Sequence, residues 1–398
     1  MASRRHLLAQ RVSRVGTERP TLTMATRIAA CFVLVLTPIV VSQERPKAPT
    51  SQDRVSLRPS DPALSKQAVR QIRFLELDDK RASAAEALWA MGETAVPALV
   101  QALDDPRPLV IQRVAQILRA IGARSEAAEA RLEELAKSEN PLIVAAAHHA
   151  LVGVREKKVT LVAAFSDASV FELDLLGKKT RTIGGLQGPW YAERLGNGHT
   201  LICDCKGGAI LEKTREGDVV WLLERFARPL RARRLVSGNT LVVGDRGGLS
   251  VNYVVEFDAD QQIVWEYGGP KINVTDAIRL LNGNTLVAED RSDRILEIDR
   301  TGEIVWEFAY DGQTVYGIER LSNGNTLICL RAEGKIVEVD REGDIVNELL
   351  IDGRPSATLR LPNGHTLVAH DSGVSEYTPE GKRVWNTAMS YAGSVGRY

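Results

Sequence analysis

The sequence predicts a multidomain chain of α and β parts: a short α-helical solenoid over residues 63–155, then an all-β six-bladed propeller over residues 156–398. Three observations predict it. A phrase of the type Arg-Leu-x-Asn-Gly-Asn-Thr-Leu recurs, its threonines Thr200, Thr240, Thr285, Thr326 and Thr366 lying 40, 45, 41 and 40 residues apart, with Thr160 a sixth 40 residues upstream. That period is the length of a four-stranded blade. Residues 63–155 instead place apolar residues at three- and four-residue spacing, the repeat of an amphipathic helix. At 398 residues the chain also exceeds one ordinary core.

At the N-terminus, Ile28 to Val41 form an apolar run of 14 residues, preceded by Arg27 and followed by Ser42 and a polar segment. This reads as a secretory signal peptide spanning residues 1–42, cut before Gln43. The run is shorter than the roughly 20 residues that span a bilayer; a retained anchor is the alternative. Because the run begins close to Met24, translation is expected to start there. Cys31 opens the run rather than following it, which argues against lipid attachment. The expected location is therefore periplasmic or extracellular, with no membrane span after cleavage. Residues 43–62 are polar and Pro-bearing, as in a flexible linker with too little apolar surface to pack. Lys plus Arg and Asp plus Glu are 51 each, so no net field steers the chain to nucleic acid or an anionic membrane.

The helical part contains ASAAEALWAMG, ETAVPALVQAL, PLVIQRVAQILRAIG, EAAEARLEELAKS and NPLIVAAAHHALVGV, broken at Gly92, Asp105-Pro106, Gly122 and Asn140-Pro141. Gly and Pro stop helices there, so antiparallel helix pairs are expected. Leu88 to Gly92 is echoed by Leu118 to Gly122, and Asp105-Pro106 by Asn140-Pro141. On these residues the segment resembles HEAT-like repeats, which implies a protein-interaction surface or a module that packs on its neighbour. The adjacent pair His148-His149 points about 100° apart on a helix and cannot chelate one ion as an i, i+4 pair does.

Each C-terminal repeat has four β-favouring runs: one ending in Arg-Leu, the Thr-Leu run, one centred on Glu, and one usually ending in Trp. Asn-Gly or Ser-Gly separates the first two, and a D/T-x-x-G turn, as at Asp299 to Gly302, the last two. Such residues suit tight hairpins, so each repeat is an antiparallel meander. The first repeat starts at its second run, while Ser394 to Tyr398 align with Tyr191 to Leu195. The C-terminal segment is expected to supply the missing inner strand and close the ring. These repeats, best preserved at Arg279 to Glu307, resemble bacterial quinoprotein-like and arylsulfotransferase-like propellers and are similar to NHL-type repeats. The resemblance implies the fold; unrelated chemistries occupy it. Quinone-dependent propellers usually have eight blades and adjacent cysteines over the cofactor. Six repeats and no Cys-Cys pair leave no expectation of a quinone or other cofactor, and Cys203, Cys205 and Cys329 do not form a disulfide framework.

Two sets of residues are candidates for function. Arg194, Arg234, Arg279, Arg320, Arg360 and Arg397 repeat in register, as do Glu172, Glu212, Glu256, Glu297, Glu338 and Glu376. A buried charge needs a partner, so Arg–Glu bridges within or between blades are expected; the alternative is an arginine ring facing the channel and binding an anion. The loops after the second runs and those entering each next blade share one face. They bring Trp190, Tyr191, Asp204, Asp245, Arg246, Glu289, Asp290, Arg291, Tyr316, Arg331, His370 and Asp371 to a candidate binding surface. Lys206 and Tyr310 belong to the same loops. The tryptophans Trp221, Trp265, Trp306 and Trp385, replaced by Arg181 and Asn347 in two repeats, are expected to pack between blades. No Asp-rich calcium loop is present, so no metal is expected. The expected function is a non-catalytic extracytoplasmic scaffold binding a protein, peptide or glycan. The alternative is a hydrolase, lyase or sulfotransferase-like enzyme using His370 with Asp290, Asp371 and Arg331.

Overall fold

The computed structural model describes residues 62–398, apart from 78, 156, 248–251, 270, 271, 291 and 311–313. The expected signal peptide, the linker up to residue 61 and the candidate Arg291 lie outside the described residues.

The helical part comprises α1 (Pro62–Phe74), α2 (Arg81–Met91), α3 (Val96–Ala102), α4 (Pro108–Ile121), α5 (Glu126–Leu135) and α6 (Pro141–Val154). Their limits follow local chemistry. Pro108 and Pro141 stand in first turns, where the missing N–H removes no helical bond. The Ser125 hydroxyl and the Asn140 amide oxygen accept from Ala128 N at 3.2 Å and Leu142 N at 3.0 Å, capping α5 and α6. Gly122, left-handed at φ 67°, closes α4. Two features differ from the periodic stretches read in the sequence. Helix α1 is additional: it is mostly polar and is anchored by buried Ala68, with Leu75 just beyond its end. The stretch around Pro97 is split into a 3-10 turn, Gly92–Ala95, and the short α3, because proline belongs in a first turn rather than an interior. Leu88, Leu99, Val114, Leu118, Leu132 and Leu151 make the shared core. Helices α4 and α6 cross at Gly153, where a Cβ would stand 2.5 Å from Arg119 Cα.

The remaining strands, numbered β1 (Thr160–Ala164) to β24 (Ala392–Arg397) in chain order, form six four-stranded antiparallel sheets, the blades of a propeller. The first blade runs β24, β1, then β2 (Ser169–Leu173) and β3 (Lys179–Ile183) outward. Thr160 pairs with Arg397 and Val162 with Val395, so the C-terminal strand closes the ring as the repeat phase predicts. In the other blades the inner strands are β4 (Pro189–Arg194), β8 (Arg228–Arg234), β12 (Val274–Arg279), β16 (Val315–Arg320) and β20 (Pro355–Arg360). Second strands such as β5 (Thr200–Asp204) are wholly buried, whereas outer strands such as β15 (Ile304–Ala309) are largely exposed. A blade stacked on both sides buries both faces of its middle strands, and only the perimeter meets water.

Helices α4 and α6 lie against the propeller face formed by the hairpins between first and second strands. Val236 and Leu281 of those hairpins pack on the helical core. Arg155 donates to Gly196 O at 3.0 Å and Gln112 to Val236 O at 3.3 Å. Gly196 is set so tightly against His148 O that any Cβ would overlap it. The helical segment thus braces one mouth of the ring.

Candidate functional site

Each inner strand ends on one of the repeated arginines, and every one crosses to the glutamate on the third strand of the preceding blade. Arg194 bonds Glu172; Arg234–Glu212, Arg279–Glu256, Arg320–Glu297, Arg360–Glu338 and Arg397–Glu376 are 2.8, 2.7, 2.9, 2.9 and 2.7 Å apart. The guanidinium also reaches its own hairpin, as Arg279 does at Gly283 O, 3.1 Å away. It lies over the tryptophan that is the glutamate's cross-strand neighbour. Arg279 is 4.7 Å from the Trp265 ring centroid and Arg320 5.2 Å from that of Trp306, within cation–π range. Where tryptophan is absent, Arg181 bonds Glu172 at 2.8 Å and Asn347 stands opposite Glu338. Burial would raise the Glu297 pKa, but Asn284, Asn282, Arg341 and Arg320 outweigh it and hold the carboxyl below its usual range. The arginines therefore point into the seams between blades.

On the face opposite the helices, the candidate polar groups mostly organise their own loops. Asp204 accepts from Gln187 N and Gly188 N at 2.9 and 2.7 Å, and Asp245 from Gly247 N at 3.0 Å. Glu289, fully buried, accepts from Tyr267 Oη at 2.7 Å and Arg294 Nη2 at 2.8 Å. Asp290 accepts from Asn273 Nδ2 at 3.3 Å, Asp371 from Arg354 N and Nε at 3.0 Å each, and exposed Arg246 donates to Glu266 at 2.8 Å. The His370 ring is buried; its Nδ1 accepts from Ser372 N at 3.3 Å. The proton is thus on Nε2, 3.0 Å from Ser375 Oγ. Burial lowers the His370 pKa.

Aromatic rings close the channel mouth on this face. Trp190 lies 6.1 Å from Tyr316, 5.4 Å from Tyr391 and 5.3 Å from Phe165 by ring centroids. The Arg331 guanidinium is 5.0 Å from the Tyr316 ring and 5.1 Å from that of Tyr391. It also donates to Arg354 O, Pro355 O and the Tyr391 hydroxyl. Trp190 and Tyr316 both precede a seam arginine by four residues, the register that aims them at the axis. Phe165 and Tyr391 carry no repeat signal and are found only through the fold. Tyr191 does not join this group.

Tyr191 instead lines two cavities, of about 770 and 610 Å³, enclosed between helices α2, α4 and α6 and the other mouth of the channel. They share Arg119, Tyr191, Arg233, Ile278, Glu319 and Tyr398. Arg119 of α4 bonds Glu193. Arg231 and Arg233 both face Asp276, at 3.7 and 3.1 Å. Glu319 accepts from Arg360 N at 2.9 Å, and burial pushes its carboxyl up to about 8. Burial and Arg119 bring the Lys157 ammonium down to about 8. Glu193, Arg233 and Glu319 each stand immediately before a seam arginine; reading that register position across the repeats would have exposed them. Among the described residues no cluster of three His, Cys, Asp or Glu side chains is placed to hold a metal, and no helix is long and apolar enough to cross a membrane.

Two family models match. One, HEAT repeats, covers residues 61–159; the other, outer membrane protein assembly factor BamB, covers residues 208–396, from the third strand of blade two through blade six and most of the closing strand. The chain is a HEAT-like repeat segment joined to a six-bladed propeller. No curated protein matches it significantly. Among solved structures, a Bacteroides caccae protein of unknown function is similar at 17% identity with a TM-score of 0.52, covering 61% of this chain and 99% of its own. The virginiamycin B lyase of Staphylococcus aureus is similar at 14% identity and a TM-score of 0.45, over 59% of this chain and 82% of its own. These likenesses concern the fold.

Proposed function

We propose that the chain is an exported, extracytoplasmic, non-catalytic scaffold whose propeller binds a protein, peptide or glycan on the face of the second-strand loops. The carrying observation is a preorganised face: half-buried Tyr316 and Tyr391 backed by buried Trp190 and Arg331, ringed by loops whose carboxylates are engaged in holding them. Rigid aromatic and Arg groups bind partners at low ordering cost. The match of residues 208–396 to a model described as an outer membrane protein assembly factor supports export and a scaffold role. An enzyme built on His370 needs an imidazole within reach of a substrate, whereas the His370 ring is buried and its Nδ1 is taken by the Ser372 backbone N–H.

The test is crosslinking of the full chain in its native host, with mass-spectrometric identification of the adducts, for wild type and for Lys206→Glu plus Arg246→Glu. Both side chains are exposed on that face, so folding should survive. A reproducible partner that disappears in the doubly reversed variant supports the scaffold. Catalytic turnover that vanishes in His370→Gln, with capture unaffected by the reversal, would replace it with the enzyme.

A further inference from the structure

The space beneath the helices differs from the opposite face in having charge that is incompletely matched. Two guanidiniums, Arg231 and Arg233, share the single Asp276 carboxylate. Arg233 donates through Nη2 to Asp276 Oδ2 at 3.4 Å, while its Nη1, 3.1 Å from Oδ1 without in-line geometry, is left a buried N–H with no acceptor. Lys157 donates to Val152 O at 2.7 Å and Gly153 O at 3.0 Å, and among the described residues no carboxylate pairs with it. Arg119 is matched by Glu193, and the seam arginines on the wall are matched from behind by their own glutamates. Glu86, which also lines the larger cavity, faces Arg341 at 3.6 Å; the acid left over is Glu319, whose carboxyl burial pushes up to about 8, keeping it largely neutral near pH 7. The surplus is positive. A buried donor without an acceptor is destabilising, and a bound acceptor would relieve it. The larger cavity adds an apolar wall of Trp89, Leu235, Ile278 and Leu280, and its volume falls within the range of small-molecule sites.

We propose that the helix-capped mouth of the channel binds a small amphipathic organic anion, its carboxylate- or sulfonate-type head at Arg233 and its apolar body against Trp89 and Ile278. The site is separate from the scaffold face, because it opens at the other end of the channel. The two family matches cover most of its residues, and neither description names a ligand there. The helices are integral to it, since Trp89 and Arg119 come from α2 and α4.

The experiment is a fluorescence titration of the full chain with 8-anilinonaphthalene-1-sulfonate, beside the uncharged N-phenyl-1-naphthylamine, which has the same aromatic body. One anionic probe per chain is expected, held at least about tenfold more tightly than the neutral one, as a charge-assisted bond implies. Arg233→Gln should weaken the anionic probe by about tenfold or more and leave the neutral one unchanged. Ala87→Trp, which fills the cavity from α2, should displace both probes, so the proposal stays testable if Arg233→Gln fails to fold. Absence of anionic-probe binding to wild type, equal affinity for the two probes, or binding indifferent to both substitutions overturns the proposal.

Discussion

At the scale of single residues, the seam glutamates carry the greatest electrostatic burden. Glu297 is nearly excluded from water and answers Arg320 at 2.9 Å and Arg341 at 2.7 Å, with amides from Asn282 and Asn284. Removing one partner of a buried pair strands the other charge, which costs about 3–5 kcal/mol. Glu297→Gln should therefore lower the unfolding free energy by about 3 kcal/mol in urea titration, whereas Glu297→Leu with Arg320→Leu should recover part of it. Glu319 predicts the opposite sign. Its folded pKa of about 8 exceeds that of an unfolded glutamate, near 4.3. Between those values the unfolded chain has released the proton that the folded chain keeps, so stability falls as pH rises. Glu319→Gln should melt higher than wild type at pH 8 and approach it at pH 4.5. Thermal melts at the two pH values check this; equal offsets would show that the carboxyl is not perturbed.

At the scale of elements, β24 joins the two ends of the ring. It pairs with β1 along Thr160 to Ala164 and sends Arg397 to Glu376 of the sixth blade. A chain ending at Tyr391 loses that strand and one of six seams, and it leaves the inner edge of β1 unpaired, a route to aggregation. It should lose the cooperative thermal transition of the propeller in calorimetry, rather than showing a small shift. The closing strand, the four runs per blade and the Arg–Glu register were legible because repetition presents each feature six times. Helix α1 was less legible, since only Ala68 and Leu75 mark its buried side. The split at Pro97 was visible in principle, since a proline in the fifth position of the stretch from Glu93 lies past the first turn of one continuous helix.

At the scale of the whole molecule, what sequence could not supply was the meeting of distant, unrepeated residues. Arg119 and Glu193 are 74 positions apart, and Arg331 and Tyr391 are 60 apart; neither pair follows the blade period. The candidate face follows from loop positions alone; Tyr191 turns to the other mouth instead, and most carboxylates of the remaining positions are occupied by neighbouring N–H groups. The helical segment covers the other mouth, which leaves the aromatic face as the propeller face free of helices. A photoactivatable amino acid placed at residue 206, on that face, and separately at residue 124, on the exposed surface of the helical segment, tests this division most directly. The scaffold reading predicts a specific partner adduct from position 206 and none from position 124. Adducts from position 124 alone, or the same adducts from both, would contradict it.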